Sequence, residues 1–385
     1  MKKIFFGLCL FFICMGVVSA ETVDYAPNSK SAILIDAATN TVLFEKNADE
    51  KLAPASMTKI MSMLLIMEAV DRGDISLNDE VTISETASSM GGSQVFLQAG
   101  EVYKVEELLK GIAIASGNDA VVAMAEYVSG SVSEFVNLMN QRAQELGLSN
   151  TVFKNPHGLD AEGHYSSARD MSRIASELIK HEKILEFTSI YEDYLKKNDG
   201  SSVWLVNTNK LVRFYDGVDG LKTGFTETAG YCLTATAKKN NTRFISVVMG
   251  AETSDKRSSD TTSLLNYGFN SYQTKVILKA TDSLGKKRVE NGTKETVDLA
   301  LTKDYVKLFR QNEAIPNYSY NIKVDNLVAP IQKGSVVGTL DVVDENNQVV
   351  DTLEVTVLED ILKSNLWEAF LKNLKHITAG RNIIK

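Results

Sequence analysis

The 385-residue sequence predicts an α/β protein of the α+β kind, in which an antiparallel sheet packs with a helical cluster and precedes a small all-β domain. Three observations predict this fold. Strand-like segments occur near residues 31–44 and again near 231–249, and helical periodicity dominates between them. From about Asp282 the sequence changes to short alternating segments broken by Gly and Asn. Because the chain is too long for one small domain, we expect two globular domains.

Composition excludes several classes of protein. With 44% apolar residues, 23% charged residues and 5 prolines, the chain is neither disordered nor of low complexity. The formal net charge is −8, and no run of basic residues is present that could follow a nucleic-acid backbone. Nucleic-acid binding is therefore disfavoured.

Residues 1–20 have the character of a signal peptide. Lys2 and Lys3 precede an apolar run from residue 4 to residue 18, and small residues follow at Ser19 and Ala20. We expect cleavage there. The alternative is an uncleaved membrane anchor, although the apolar run is shorter than the ~20 residues of a spanning helix.

Loss of that segment would change the net charge from −8 to −10 and leave Cys232 as the one cysteine in the sequence. An internal disulfide is then excluded. Because Tyr231 and Leu233 flank Cys232, we expect a buried small hydrophobic residue and not a reactive thiol.

The first predicted elements are strands at 32–35 and 41–44, joined by the turn-prone residues 38–40. The helix predicted over 56–70 is apolar on nearly every face, which indicates that protein surrounds it. Further elements are predicted from periodicity: helices over 105–115, 119–127, 132–146, 167–179 and 261–267, and strands over 231–237 and 243–249. We expect the strands from both ends of this domain, residues 21–280, to share one sheet.

The small β domain is assigned to residues 281–358, and the remainder, 359–385, is an amphipathic tail. The β domain contains neither histidine nor cysteine, which disfavours metal or thiol chemistry there. In the tail, large apolar residues recur at helical spacing: Leu362, Leu366, Phe370, Leu374 and Ile377. Basic residues also outnumber acidic ones there, and they are Lys363, Lys372, Lys375, Arg381 and Lys385. This pattern favours a helix on a membrane surface. The alternative is a helix packed on the β domain.

Ser56 and Lys59 form the first candidate pair for chemistry. They lie one turn apart at the start of the predicted buried helix and can share a hydrogen bond. A serine hydroxyl is a weak nucleophile until a base takes its proton, and lysine can be that base only if its pKa falls toward neutrality. Burial and a second cation would lower it. The spacing alone is not specific, since Ser283 and Lys286 share it.

Two further short motifs stand out. Ser116 and Asn118 lie at a bend between predicted helices, where they suit proton transfer and amide binding, or simply cap the next helix. Lys222, Thr223 and Gly224 suit an edge strand along which a peptide with a terminal carboxylate can lie, because glycine permits close approach of its backbone. The alternative for Lys222 is an ordinary surface lysine.

The order of these motifs, Ser-x-x-Lys, Ser-x-Asn and Lys-Thr-Gly, is typical of serine β-lactamases and penicillin-binding proteins. The chain resembles the low-molecular-mass penicillin-binding D-alanyl-D-alanine carboxypeptidases in residues 54–59, 116–120, 153–159 and 219–224. The resemblance is strong over about 31–269, and the β domain and tail resemble the family by arrangement only. The resemblance implies a β-lactamase/transpeptidase-like fold. It also implies removal of the terminal D-alanine from peptidoglycan pentapeptide stems, with β-lactams as covalent inhibitors.

The resemblance further implies roles for individual residues. Ser56 would attack the carbonyl of the penultimate D-alanine, and Lys59 would accept the proton of Ser56. Ser116 and Lys222 would assist proton transfer, and Lys222 would also lower the pKa of Lys59. Asn118 would bind the peptide amide.

Three more roles follow from the same resemblance. Thr223 would hold the terminal carboxylate, and the backbone amides of Ser56 and Phe225 would form the oxyanion hole. Arg257 occupies the place of a carboxylate-binding arginine, although Lys256 is adjacent. No cofactor is expected, since no His-Glu-x-x-His or cysteine-rich cluster occurs in the sequence.

Two other functions fit part of this pattern. A class A β-lactamase needs a glutamate in a Glu-x-x-Leu-Asn segment, and the nearest match, Glu145 to Ser149, departs at its last position, so we expect Glu145 to face solvent. A catalytically inactive peptidoglycan-binding module has little reason to retain Ser56, Lys59 and Lys222 together. We expect His157 to be structural and Glu68 to pair locally. The protein is expected at the outer face of the bacterial cytoplasmic membrane.

Overall fold

The computed structural model describes residues 23–368 and 370–371. The predicted signal peptide therefore lies outside the described residues, as does most of the tail. The elements of the first domain are, in chain order, β1 (Ser31–Asp36), β2 (Val42–Lys46), a 3-10 helix (Ala55–Thr58), α1 (Lys59–Arg72), β3 (Glu80–Thr82), α2 (Glu85–Ser88), β4 (Val102–Lys104), α3 (Val105–Ala113), α4 (Asn118–Ser129), α5 (Val132–Glu145), α6 (Ala168–Leu178), α7 (Lys183–Thr188), β5 (Glu192–Lys196), β6 (Ser202–Val206), α8 (Leu211–Phe214), β7 (Val218–Thr226), β8 (Gly230–Lys239), β9 (Thr242–Ala251) and α9 (Ser254–Ser271).

The main sheet is antiparallel, with the strand order β2-β1-β9-β8-β7. The expectation that strands from both ends of the domain share one sheet is thus confirmed. Strand β7, which carries Lys222, lies at an edge of this sheet. Its free side faces the 3-10 helix, where Gly224 lies against Pro54 and Ser56.

Helix α1 is the buried helix that the sequence predicts. Ten of its 14 residues are buried, and it packs against α4, α5 and α6. Each fully buried leucine, isoleucine or methionine contributes about 1.5–3 kcal/mol to stability. The helix ends at Gly73, whose φ of 77° is left-handed. Because Lys59 is the first residue of this helix, it is buried with it.

Helix α9 begins seven residues before its predicted start. The added turns, from Ser254 to Asp260, are largely polar and show no apolar periodicity. Their N-terminus is stabilised by Thr253, whose hydroxyl accepts a hydrogen bond from the Lys256 amide at 3.2 Å. Arg257 and Asp260 are nevertheless buried, so this face of the helix turns polar groups inward.

The second domain contains β10 (Tyr272–Leu278), β11 (Gly285–Glu290), β12 (Thr296–Leu301), β13 (Tyr305–Arg310), β14 (Ser319–Val324), β15 (Leu327–Val328), β16 (Val336–Val343) and β17 (Val349–Val357). Six of them form a sheet in the order β14-β16-β17-β12-β11-β15, and β10 pairs with β13. The all-β character is as predicted. The boundary at residue 280 stays a prediction, because β10 lies before it and pairs with a strand after it.

The first residues of the tail differ in burial from those that follow. Ile361 is fully buried in the core of the β domain and pairs with Ile331. Residues 366–368 and 370–371 are helical, and large apolar side chains there are exposed, including Leu366 at 92% and Trp367 at 73%. Among the described residues, no helix has the length and apolar character to span a membrane.

Candidate active site

Ser56 and Lys59 meet at the junction of the 3-10 helix and α1. Lys59 Nζ lies 3.1 Å from Ser56 Oγ, so the predicted hydrogen bond between them is confirmed. The tight 3-10 turn brings side chains three positions apart onto one line. The nucleophile candidate and the base candidate are therefore in contact without any ligand.

Lys59 has two further partners, and both can only accept. Its Nζ donates to Asn118 Oδ1 at 2.7 Å and to the His157 backbone oxygen at 2.7 Å. A neutral amine has two N–H groups and one lone pair, whereas an ammonium has three N–H groups and none. Ser56 Oγ is the third acceptor at 3.1 Å, so the three N–H groups of an ammonium would satisfy all three contacts, and a neutral amine would turn its lone pair toward the Ser56 hydroxyl. The protonation state of Lys59 is therefore decided by its electrostatic surroundings.

The electrostatic surroundings of Lys59 favour the neutral amine. Lys59 is fully buried, and burial lowers its pKa well below the ordinary value for lysine. The nearby cation Lys222 lowers it further, and the carboxylate of Asp119 opposes the shift.

The turn between α3 and α4 carries Ser116 and Asn118. Ser116 has a left-handed φ of 65°, and its Oγ is buried with no hydrogen-bond partner among the described residues. Asn118 is held at both ends of its amide, since Nδ2 donates to Gly91 O at 2.7 Å while Oδ1 accepts from Lys59. The alternative of a helix cap is wrong, because Gly117 occupies the N-cap of α4 and no side chain caps it.

Lys222 is buried on β7, so the alternative of a surface lysine is wrong. Its Nζ donates to the Thr223 backbone oxygen at 3.2 Å. Burial, and then the cation Arg257, lower the pKa of Lys222 to about 7. The pKa of Lys222 therefore lies close to neutral pH.

Gly224 brings β7 against the backbone of the nucleophile. A Cβ at this position would lie 2.7 Å from Pro54 O and 3.1 Å from Ser56 N. The two backbones approach closely only because this side chain is absent. The next residue, Phe225, exposes 52% of its surface and packs its ring beside Tyr231.

Thr223 contacts a residue that the sequence analysis missed. Its Oγ1 donates to Thr208 Oγ1 at 2.7 Å. Thr208 follows β6, and its backbone amide donates to Ile114 O at 3.2 Å. Thr208 thus connects β7 to the end of α3, and nothing in its local sequence indicates that it reaches the site.

Arg257 and Lys256 differ in their positions on α9. Lys256 forms an ion pair with Glu252 at the surface. Arg257 is 6% exposed, and its Nε has no partner among the described residues. Arg257 is therefore the buried basic residue of this pair, and its charge lowers the pKa of Lys222.

The segment 155–158 encloses the first turn of α1 through backbone groups. The carbonyls of Pro156 and His157 accept hydrogen bonds from Ser62 and Lys59, each at 2.7 Å. Gly158 has a φ of 89°, and a Cβ there would lie 1.9 Å from Ala55 O. The sequence analysis included residues 153–159 in the family resemblance but missed the role of these carbonyls, because every residue has one.

The His157 ring itself does not contact Lys59 by hydrogen bonding, and its Nδ1 accepts from the Leu159 amide at 3.2 Å. Burial, and then the charge of Lys59, lower the pKa of His157 to about 4, so the ring is neutral at pH 7. This agrees with the structural role expected from the sequence.

Three other expectations are confirmed. Glu68 pairs with Arg142 at 2.8 Å, and Glu145 is exposed and pairs with the same arginine. Cys232 is buried and unpaired, and burial raises the pKa of its thiol to about 11.

Comparison with known proteins gives consistent results. Residues 18–253 match the family described as D-alanyl-D-alanine carboxypeptidase, and residues 272–363 match the family described as penicillin-binding protein 5, C-terminal domain. D-alanyl-D-alanine carboxypeptidase DacF of Bacillus subtilis is 51% identical over 91% of this chain and 90% of its own. DacA of Escherichia coli is 37% identical over 90% and 87%.

Solved structures show the same likeness. Penicillin binding protein 5 from Haemophilus influenzae has 33% identity and a TM-score of 0.69 over 87% of this chain and 98% of its own. Penicillin-binding protein D2 from Listeria monocytogenes, in its ampicillin-bound form, has 32% identity and a TM-score of 0.57 over 63% and 98%.

Proposed function

Because this chain belongs to the D-alanyl-D-alanine carboxypeptidase family, we propose that Ser56 and Lys59 carry out its acyl transfer. The family acts on peptidoglycan stem peptides that end in D-Ala-D-Ala and binds β-lactams, so the chain is a serine peptidase and not a class A β-lactamase or an inactive binding module. The observation that carries the assignment of residues is the 3.1 Å contact between Ser56 Oγ and the Nζ of the fully buried Lys59.

In the proposed acylation, Lys59 Nζ takes the proton of Ser56 as Oγ attacks the carbonyl carbon of the penultimate D-alanine. The backbone amides of Ser56 and Phe225 stabilise the oxyanion. The C–N bond then breaks, and the proton passes from Lys59 to the leaving amine through Ser116, with Lys222 assisting. The unpartnered hydroxyl of Ser116 supports this role. The terminal D-alanine leaves, and the rest of the peptide stays as an ester on Ser56.

Deacylation follows the same route with water in place of the hydroxyl. Lys59 takes a proton from water, which attacks the ester carbonyl, and Ser56 Oγ leaves with a proton returned by Lys59. Glu145 is not available to activate this water, because it pairs with Arg142 at the surface.

Asn118, Thr223 and Arg257 are proposed to hold the substrate. Asn118 binds the peptide amide from the turn before α4, and Thr223 binds the terminal carboxylate along the edge of β7. Arg257 supplies a second charge to that carboxylate. The buried Nε of Arg257, unpartnered within the described part of the chain, supports this assignment, since a carboxylate oxygen would satisfy it.

The residue assignment is tested by mass spectrometry of the protein after reaction with benzylpenicillin and proteolysis. The penicilloyl adduct is expected on the peptide that contains Ser56. It is expected to persist for minutes, because slow deacylation distinguishes a penicillin-binding protein from a β-lactamase. An adduct on any other serine would overturn the assignment.

We further propose that the protein acts outside the cytoplasm, held to the outer face of the cytoplasmic membrane by its tail. Peptidoglycan is an extracytoplasmic substrate, and the described part of the tail helix exposes Leu366, Trp367, Phe370 and Leu371. These exposed side chains favour a membrane surface over packing on the β domain.

Truncation tests the membrane proposal. The cut belongs after Ser364, because Ile361 is part of the core of the β domain and Ser364 hydrogen-bonds to Asn291. The truncated protein is expected to bind benzylpenicillin as before and to leave the membrane fraction. If it sediments with membranes like the full chain, the tail is not the anchor.

A further inference from the structure

Asp119 is a buried carboxylate beside the site that the proposed mechanism does not use. It is 1% exposed, and no basic side chain among the described residues lies within ion-pair distance of it. Its oxygens instead accept backbone N–H groups: Val95 at 3.1 and 3.0 Å, Leu97 at 3.1 Å and Ala120 at 2.9 Å. A buried charge is tolerated when such amides solvate it.

These bonds dock the segment 91–97 onto the start of α4. Val95 and Leu97 flank Phe96, whose φ of 60° is left-handed and whose surface is 59% exposed. That conformation costs roughly 1–2 kcal/mol for a residue with a Cβ. The Asp119 carboxylate holds the amides on both sides and thereby maintains it.

The docked segment in turn fixes the orientation of Asn118. Gly91 O accepts from Asn118 Nδ2, and Ser93 O accepts from the Asn118 backbone amide at 2.7 Å. With Nδ2 engaged by Gly91, Oδ1 is the atom turned toward Lys59. If the segment moved away, the amide would be free to flip and present N–H groups to a base that needs an acceptor there.

We propose that Asp119 is a positioning residue of the acyl-transfer reaction: its carboxylate docks the segment 91–97, which orients the Asn118 amide, and its negative charge opposes Lys222 in the field at Lys59. This inference rests on the proposed role of Lys59 as the base. Asp119 itself touches neither Ser56 nor Lys59 by hydrogen bonding.

The charged groups around Lys59 predict the direction in which its pKa changes when the Asp119 charge is removed. The charge of Lys222 on β7 lowers the pKa of Lys59, and the charge of Asp119 on α4 raises it. The His157 ring in the segment 155–158 is neutral near pH 7. Removal of the Asp119 charge would therefore lower the pKa of Lys59 further. The acid limb of kcat/KM, which reports deprotonation of the free base, would move to lower pH.

The test compares Asp119→Asn with Asp170→Asn in the full-length protein. Asp170 is also 1% exposed in the same domain and accepts from Asn150 N and Thr151 Oγ1, but it does not act on Lys59. For Asp119→Asn we expect kcat to fall by about 10²-fold through misplacement of Asn118, and the acid limb to shift to lower pH. For Asp170→Asn the limb is expected to stay in place.

A second variant separates the effect of docking the segment 91–97 from the effect of the Asp119 charge. Glycine adopts a φ of 60° without the Cβ penalty, so Phe96→Gly in the Asp119→Asn background is expected to recover part of kcat while the limb stays shifted. If Asp119→Asn lowers kcat but leaves the limb where Asp170→Asn leaves it, the residue is merely structural and the inference is overturned. Unchanged kcat and unchanged limb overturn it as well.

Lys59→Ala distinguishes failure of this inference from failure of the proposed function. If Lys59→Ala still acylates at the native rate, the base is misassigned and both proposals fall. If Lys59→Ala is inactive and Asp119→Asn behaves as the native enzyme, only the role of Asp119 is refuted.

Discussion

The chain contains the spacing Ser-x-x-Lys in each of its two domains, and the two copies have little else in common. At Ser56 and Lys59, Nζ lies 3.1 Å from Oγ and the lysine is fully buried. At Ser283 and Lys286 both residues are exposed, and Ser283 Oγ donates to Asp298 Oδ1 at 2.7 Å.

The difference is one of local geometry and of environment. In the first copy a helical turn places positions three apart on one face. In the second copy Lys286 lies on β11 and Ser283 lies in the loop before it, so no helical turn brings the two side chains together. Burial also differs, and only a desolvated lysine has its pKa lowered toward a value useful to a base. Spacing in sequence therefore identifies a catalytic pair only together with a buried helix.

The largest effect is expected from removal of the Ser56 hydroxyl, and removal of the Ser283 hydroxyl is the matched control. Ser56→Ala should abolish labelling by fluorescent penicillin and lower D-alanine release by at least about 10⁴-fold, because no nucleophile remains. Ser283→Ala should leave both unchanged, since its hydroxyl bonds only to surface groups. Gel fluorescence and a D-alanine release assay measure the two properties. Retained labelling in Ser56→Ala would falsify the assignment of the nucleophile.

A smaller effect on the acylation rate is expected when a methyl group is added to Gly224. In Gly224→Ala the Cβ meets Pro54 O at 2.7 Å and Ser56 N at 3.1 Å, so the nucleophile must shift and the acylation rate should fall by about 10²-fold.

The matched change in the β domain is Gly338→Ala, whose Cβ would lie 2.2 Å from Lys323 O. It should lower stability by about 1–3 kcal/mol while the acylation rate stays native. Stopped-flow acylation and denaturant unfolding separate the two results. A native acylation rate in Gly224→Ala would mean that close packing of β7 against Ser56 is not required.

The smallest effect concerns charge. In Arg257→Gln the pKa of Lys222 should rise from about 7, because a neighbouring cation that lowers it is gone. Functions that need the Lys222 ammonium are lost as pH rises through this pKa, so the alkaline limb of kcat/KM should move to higher pH.

Affinity for the terminal carboxylate should weaken in Arg257→Gln by about 10-fold, as for loss of a hydrogen bond to a charged group. Arg310→Gln, which changes an exposed arginine of the β domain, serves as the control and should alter neither property. A pH–rate profile with a D-Ala-D-Ala peptide measures both. An unmoved alkaline limb in Arg257→Gln would argue against coupling between Arg257 and Lys222.

Much of the fold was predictable because its signals are local. The periodicity of α1 and the alternation of β8 and β9 arise from which residues are apolar, so they are visible along the chain. The polar first turns of α9 were missed, since Asp260 is buried through contacts with the distant residues Asn28 and Ser29.

The candidate site was predicted to a similar extent. Side chains with distinctive chemistry, such as Ser56, Lys59 and Lys222, form motifs that stand out. Thr208, Asp119 and the carbonyl of His157 do not, because their roles depend on where a distant backbone passes. Thr208 is 15 residues from its partner Thr223, and His157 is 98 residues from Lys59.

The sequence by itself determined which residues carry reactive groups, which helix is buried and which two domains follow one another. These properties depend on residue type and on short-range periodicity. Only the tertiary structure decided that the pKa of Lys59 is low, since this depends on the burial of Lys59 and on the nearby charge of Lys222. Protonation state is a property of surroundings, and the surroundings of Lys59 come from segments far apart in the chain.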